Sequence, residues 1–380
     1  MNNRILHLAS FIGNIGDNAS HFGLGNILNT ISDKSPEIDK LEIRRFYKNY
    51  NLPDKLFFDE TFVELTNNYD VVIIGGGGFF NFCIENSKTG TTLDFSDDIF
   101  LKIKTPIIIS SMGILQHQDV PEGNLQKFEN FLNLILNKDN ATLALRNDGS
   151  KDIINKLFGS KYEVIPEILD NAFFYKPKKL EFPISEKKYI LINITKDQIQ
   201  MKNMIIGSVN YKFYLSELRK FIKKVIKESD LNIVFAPHIF SDYIAIQELL
   251  SGINEFHIRT RIIVSPHVQE DFGCNLIFNI YQKAEFIIGM RFHANVCSIA
   301  MEKKSVGLVA LDRVDYLYKN MGIEDSLIFL NEPFSEILFN KLLNHMQNPS
   351  YKTEHSTILA KKKEFSLSTY KSMFKTLKLV

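Results

Sequence analysis

At 380 residues the chain is too long for one ordinary core and suits two domains. Its 45% hydrophobic and 23% charged residues describe a folded globular protein rather than a disordered one. With 45 Lys and Arg against 44 Asp and Glu, the net charge of +1 gives no overall pull toward nucleic acid, so positive charge must be used locally. The three cysteines, Cys83, Cys274 and Cys297, lie far apart and match no zinc spacing. A reducing compartment is the plain reading. The N-terminus lacks a long apolar stretch with a small-residue cleavage site, and no apolar run approaches the roughly 20 residues of a membrane helix. The expectation is a cytoplasmic protein.

The first expected element is a strand, Arg4–Ala9. It runs into the glycine-bearing turn Gly13-Asn14-Ile15-Gly16-Asp17-Asn18, and a helix follows with Phe22, Leu24, Ile27, Leu28 and Ile31 on one face. Strand, glycine turn and helix form the first unit of a phosphate- or nucleotide-binding α/β fold, although the spacing is not that of a dinucleotide fingerprint. Asp17 suits a helix cap, or a base for a substrate hydroxyl. Leu41–Arg45 reads as a second strand and Asp70–Gly75 as a buried parallel one. The latter ends in Gly75, Gly76, Gly77 and Gly78, which suit either a close approach to a ligand or a tight turn. Strands at Thr105–Gly113 and Ala141–Arg146 alternate with helices rich in Phe128, Leu132 and Ile154.

Tyr175–Lys188, with Pro177 and Pro183, is the expected linker. The alternation then restarts at Tyr189–Ile194. A helix over Tyr211–Ser229 carries Lys220, Lys223, Lys224 and Lys227, a face for water or for an anionic membrane surface. Asn232–His238 and Arg261–His267 each end in Pro-His. Ala284–Gly289 reads as a buried strand, followed by Met290-Arg291-Phe292-His293 and a helix from Ala294. Ser305–Ala310 is the next strand, with Arg313 just beyond, and Pro333–Val380 is helical.

The expected fold is therefore α/β, two doubly wound Rossmann-like domains facing each other across a cleft. The expected boundaries are 1–176, 186–345 and a helical segment 346–380 that packs back on the N-terminal domain. Arg291 offers a planar fork for a carboxylate or phosphate, and His293 can give or take a proton near neutrality. The N–H groups of the following helix add a positive dipole end. Together they suit a small, strongly negative molecule that needs protonation. An Arg–His pair at a helix start can also be structural. No P-loop, HExxH, GxSxG or Cys/His zinc pattern exists, and no bound metal is expected.

The ordered set Gly13–Asp17, Gly75–Gly78, Ser111-Met112-Gly113, Arg146 with Ser150, Pro237-His238 with Asp242, and Gly289-Met-Arg-Phe-His293 resembles the polysaccharide pyruvyl transferase family over roughly residues 4 to 325. It departs from that family's pattern at Asn18, at Asn147 and Asp148, at Arg313 where a lysine is usual, and at Phe79-Phe80-Asn81. The resemblance implies a GT-B-like fold. It implies transfer of pyruvate from phosphoenolpyruvate to a saccharide, free or linked to a polyprenyl diphosphate, as a cyclic ketal in capsule or exopolysaccharide assembly. No cofactor beyond that donor is implied, and no more than peripheral contact with the inner face of a membrane. On this resemblance Arg291, Gly289, Arg313, His238 and Arg146 would hold the donor, and His293 would protonate it. Asp17 or His238 would take hydroxyl protons, and Asn14, Gly16, Gly76, Gly77 and Gly78 would line the acceptor side. Two rivals are a GT-B glycosyltransferase using a nucleotide sugar and a non-catalytic scaffold subunit.

Overall fold

A computed structural model describes residues 4–115, 119–201, 207–347 and 351–379. Residues 1–3, 116–118, 202–206, 348–350 and 380 of the expected domains lie outside the described residues. The chain divides into two compact units. The first comprises residues 1–11, 20–174 and 362–380, and the second 12–19 and 175–361.

The first unit holds a parallel sheet of six strands, β1 (Arg4–Ala9), β2 (Glu37–Glu42), β3 (Val71–Gly75), β5 (Ile107–Met112), β7 (Ala141–Arg146) and β8 (Glu167–Ile168), in the order β2-β1-β3-β5-β7-β8. A parallel pair of two-residue strands, β4 (Phe80–Asn81) and β6 (Ile114–Leu115), stands apart from it. The central strands read as unbroken apolar runs because both faces are covered, and Val71 to Gly75 are all buried. The edge strand differs. The sequence pattern puts it at Leu41–Arg45, whereas the ladder runs over Glu37–Glu42. Ile43 and Phe46 enter the core from a 3₁₀ turn, in which the Glu42 carboxylate accepts from Arg44 N–H. An edge strand with partly exposed residues gives little periodic signal. The abundant Phe residues pack against one another here. Phe58 stacks on Phe46 and Phe95, with ring centroids 4.4 and 3.9 Å apart, and Phe131 packs with Phe95 and Phe100. The other face is closed by the helix Tyr351–Thr376, whose Tyr370, Met373 and Phe374 join Ile5, Val71, Ile73 and Ile108.

The second unit's sheet contains β9 (Tyr189–Asn193), β10 (Asn232–Phe235), β11 (Ile262–Val264), β12 (Phe286–Gly289), β13 (Ser305–Val309) and β14 (Leu327–Phe329). Their order is β11-β10-β9-β12-β13-β14, and every pairing is parallel. Chain order reverses between β9 and β12, where the helices on either side lead away in opposite directions and leave a crevice beyond the strands' carboxyl ends. The segment read as a linker is tied down. Lys178 N–H donates to the Asn275 side chain and Leu180 N–H to that of Asn279, along the helix Glu270–Lys283. On the helix Tyr211–Glu228, Lys220 pairs with Glu217 and Lys224 with Glu336.

Candidate functional site

The crevice between β9 and β12 is where the opening residues of the site meet. Gly289 pairs with Asn193 in the last register of the ladder. Asn193 is buried, and its side chain accepts from Arg291 N–H at 3.0 Å while donating to Ala236 C=O at 2.9 Å. One amide thus fixes the chain leaving three strands. Gly289 is tight: a Cβ there would lie 2.8 Å from the side-chain oxygen of Asn295, whose amide nitrogen donates to Gly289 C=O.

Arg291 immediately precedes the helix Phe292–Ala300 and is buried. Its Nε donates to both Asp242 oxygens at 3.0 and 2.9 Å, and its Nη2 reaches Asp242 Oδ1 at 2.5 Å. The Asp242 carboxylate also accepts from the main-chain N–H groups of His238 and Ile239. Nη2 additionally donates to Thr195 Oγ1 at 2.9 Å and to Asp197 at 3.1 and 3.2 Å. Burial works against the guanidinium's charge, but Asp242 and Asp197 outweigh it and hold Arg291 firmly cationic. Burial likewise pushes Asp197 upward, and Arg291 more than reverses this, so Asp197 stays ionised.

His293 is the second residue of the same helix. Its Nδ1 is 3.7 Å from Asp17 Oδ1. Asp17 belongs to the turn that opens α1 (Ile15–Ile31), and residues 12–19 of that turn count with the second unit. Asn14 shapes the turn: its side-chain oxygen accepts from Gly16 N–H at 3.0 Å, and its amide donates to Asp17 Oδ1 at 3.3 Å. Further bonds fasten the segment. Ile15 N–H donates to His238 C=O, Gly13 N–H to the Gln269 side chain and Asn18 to Asp271. Gly16 backs directly onto the histidine, and a Cβ there would stand 2.4 Å from His293 Cβ and 2.6 Å from Nδ1. With no side chain of its own, Gly16 lets the imidazole pack against its backbone and limits how the ring can turn.

His238 is fully buried at the end of β10, its Nε2 2.8 Å from the Tyr281 hydroxyl. Burial, then the nearby Arg291, push its pKa well below the ordinary range, so it is a neutral imidazole and carries no positive charge to an anion. His267 Nε2 lies 3.2 Å from His238 C=O. Arg313, half-buried in the first turn of the helix Asp312–Asn320, sits with its guanidinium carbon 5.6 Å from the centre of the Phe292 ring. This places it beside the helix that carries His293.

The remaining candidates belong to the first unit. Arg146 is buried at the end of β7, bonded to Asp148 at 2.8 and 2.6 Å and to Asp170 at 3.2 Å. Gly75 adopts φ +153° and Gly76 φ +75°. A Cβ at Gly75 would lie 1.8 Å from Ser110 C=O, one at Gly76 2.6 Å from Ser20 Oγ, one at Gly77 2.5 Å from the Phe79 ring and one at Gly78 2.8 Å from Leu115. These glycines are required by close packing of the protein on itself. Three residues central to the Arg291 cluster were not singled out from sequence: Asn193, Thr195 and Asp197. Each follows or ends β9, so the strand-end rule that picked out Arg291 after β12 also points to them. Among the described residues no group of three or more His, Cys, Asp or Glu side chains could hold a metal ion, and no helix is long and apolar enough to cross a membrane.

Among solved structures the chain is similar to the S. aureus MnaA–UDP co-structure, at 13% identity and a TM-score of 0.55, covering 100% of this chain and 98% of that one. A Rickettsia africae glycosyltransferase gives 13% identity and a TM-score of 0.54 over 100% of both chains. The Methanocaldococcus jannaschii UDP-GlcNAc 2-epimerase in complex with UDP-GlcNAc and UDP gives 13% and 0.53, covering 96% of this chain and 99% of that one. At such identities the likeness is one of fold: this is a GT-B-like chain with two Rossmann-like sheets. No curated protein sequence matches it. The model of one sequence family, described as polysaccharide pyruvyl transferase, matches residues 7–311. That span runs from β1 through the Asp17 turn and the Arg291–His293 segment to the end of β13, and the chain belongs to the polysaccharide pyruvyl transferase family.

Proposed function

We propose that this chain moves the pyruvyl group of phosphoenolpyruvate onto a saccharide of a surface polysaccharide or of its lipid-linked precursor, forming a cyclic ketal. The observation that carries this reading is the meeting of Asp17, His293 and Arg291 at one strand crossover in a member of this family. His293 donates its proton to the methylene carbon of the enol as an acceptor hydroxyl attacks the neighbouring carbon. That hydroxyl's proton passes to Asp17. The bond to the phosphate oxygen breaks, a second hydroxyl closes the ketal, and its proton leaves with inorganic phosphate. Arg291, the N–H groups that open the helix Phe292–Ala300, and Arg313 offset the donor's charge. The reaction as written needs no separate cofactor. The proposed place of action is the cytoplasm, at the inner face of the membrane where the acceptor is lipid-linked.

The test is incubation with phosphoenolpyruvate and a candidate repeat unit. Phosphate release is measured together with the mass of the product. A ketal on the saccharide and its loss in His293→Ala are the expected results. Thermal stabilisation by nucleotide sugars, with none by phosphoenolpyruvate, would overturn the reading and favour a glycosyltransferase.

A further inference from the structure

The reaction above leaves Asp197, a partner of Arg291, without a role. A guanidinium has two edges that can take a two-pronged acceptor, Nε with Nη2 and Nη1 with Nη2. Asp242 fills the first. Its side chain is 0% exposed and is held by two main-chain N–H groups, so that pairing is permanent. The second edge is half taken. Asp197 accepts from Nη2, while among the described residues no group bonds Nη1. Unlike Asp242, the Asp197 side chain is 39% exposed, at the start of the single-turn helix Asp197–Gln200. The Thr195 hydroxyl accepts from Nη2 and donates to Asp197.

Charge makes this arrangement a problem for an anionic substrate. Arg291 with two carboxylates is a net negative cluster, and a donor bearing carboxylate and phosphate would be repelled by it. Arg291 with Asp242 alone is neutral and leaves the Nη1–Nη2 edge and the Thr195 hydroxyl to the ligand. We propose that Asp197 is a built-in competitor for the donor: its carboxylate occupies the place of the substrate's own anionic group and swings toward solvent when the substrate binds. Asp197 thereby sets donor affinity, as a positioning residue that does not take part in bond making. Naming the displaced anion as that of phosphoenolpyruvate rests on the function proposed above. That an oxyanion displaces Asp197 does not.

The experiment uses the full chain and its Asp197→Asn and Asp197→Glu variants. Phosphoenolpyruvate and, separately, UDP are titrated by calorimetry, and KM and kcat for the donor are measured. Asp197→Asn should bind phosphoenolpyruvate about two- to fivefold more tightly, the weight of a half-exposed ion pair removed from the competition. Its KM should fall by a similar factor without a rise in kcat, while Asp197→Glu should stay near the parent protein. Equal or weaker binding by Asp197→Asn, where the parent binds phosphoenolpyruvate normally, overturns the inference and leaves the proposed reaction standing. Tighter binding of UDP with no binding of phosphoenolpyruvate keeps the role of Asp197 and overturns the reaction. Binding of neither ligand to either protein overturns both, and an Asp197→Asn chain that fails to fold marks Asp197 as structural and overturns the inference.

Discussion

Asp242→Asn isolates the contact on which the site depends. In the parent, one fully buried carboxylate takes three bonds from Arg291 and two from main-chain N–H groups. Every group facing it is a donor. An asparagine must turn its NH₂ toward either the guanidinium or the His238 and Ile239 amides, so donor meets donor on one side. The guanidinium, buried to within 8% of full exclusion, keeps its charge and retains only the half-exposed Asp197 as counter-ion. Breaking a buried ion pair in this way costs about 3–5 kcal/mol. Against a typical domain stability of about 5–15 kcal/mol, that is a large fraction. For a unit of this size it corresponds to a fall of roughly 6–20 °C in Tm. Urea unfolding followed by circular dichroism reads the loss, with a two-step fit if the units unfold separately. The double variant Asp242→Asn/Arg291→Gln removes the stranded charge and should be more stable than Asp242→Asn alone. A loss below about 1 kcal/mol in Asp242→Asn, near the range of ordinary surface substitutions, would refute the claim that this pair organises the crevice.

Three further outcomes follow from close contacts. Gly16→Ala places a methyl group 2.4 Å from His293 Cβ. On the proton-donor role proposed for His293, the fold should survive while kcat falls on the order of 100-fold, because a shift of about 1 Å at such a donor has that effect. A Gly16→Ala enzyme with parent kcat would show that His293 need not stand where it does. Arg146→Ala strands the buried carboxylates of Asp148 and Asp170 and should destabilise the first unit by about 3–5 kcal/mol in the same unfolding assay. Glu217 shows a pH dependence. Burial opposes its charge, but Lys220 and the Phe334 and Ser335 N–H groups outweigh burial and bring its pKa from 4.5 to about 2. A folded pKa below the unfolded one means stability that is complete above pH 4.5 and lost as pH falls toward 2. Glu217→Gln should remove that part of the acid dependence, seen as a flatter curve of unfolding midpoint against pH across that window.

The alternation of parallel strands and helices was legible because buried strands must be apolar on both faces, and Val71–Gly75 and Phe286–Gly289 show it as unbroken runs. The edge strand was misplaced by a few residues because Glu37–Glu42 is only half covered and has no such run. Arg291 and His293 stood out because glycine, arginine and histidine at a strand-to-helix junction are an uncommon local pattern. Their partners did not. Asp197 follows β9, a strand end like that of Arg291, but nothing in its local sequence ties it to an arginine almost a hundred residues away. Only the adjacency of β9 and β12 brings it to Arg291, and that adjacency is a property of the whole sheet. Gly16 was noticed as part of a turn, while its actual constraint, the face of His293, comes from a segment remote in sequence.

The grouping of residues 12–19 with the second unit has a consequence for how the protein is made. Gly13 cannot bond Gln269 until 256 further residues have been synthesised. At ribosomal speeds of about 5–20 residues per second that is a delay of roughly 10–50 s. During that time the strand ahead of the segment and the helix behind it belong to a unit that is itself waiting, since Tyr370 must still arrive to bond Ser110 and Asn171. The bonds that fasten the segment bearing Asp17 therefore form only after Gln269 and Asp271 have been made, long after the turn itself.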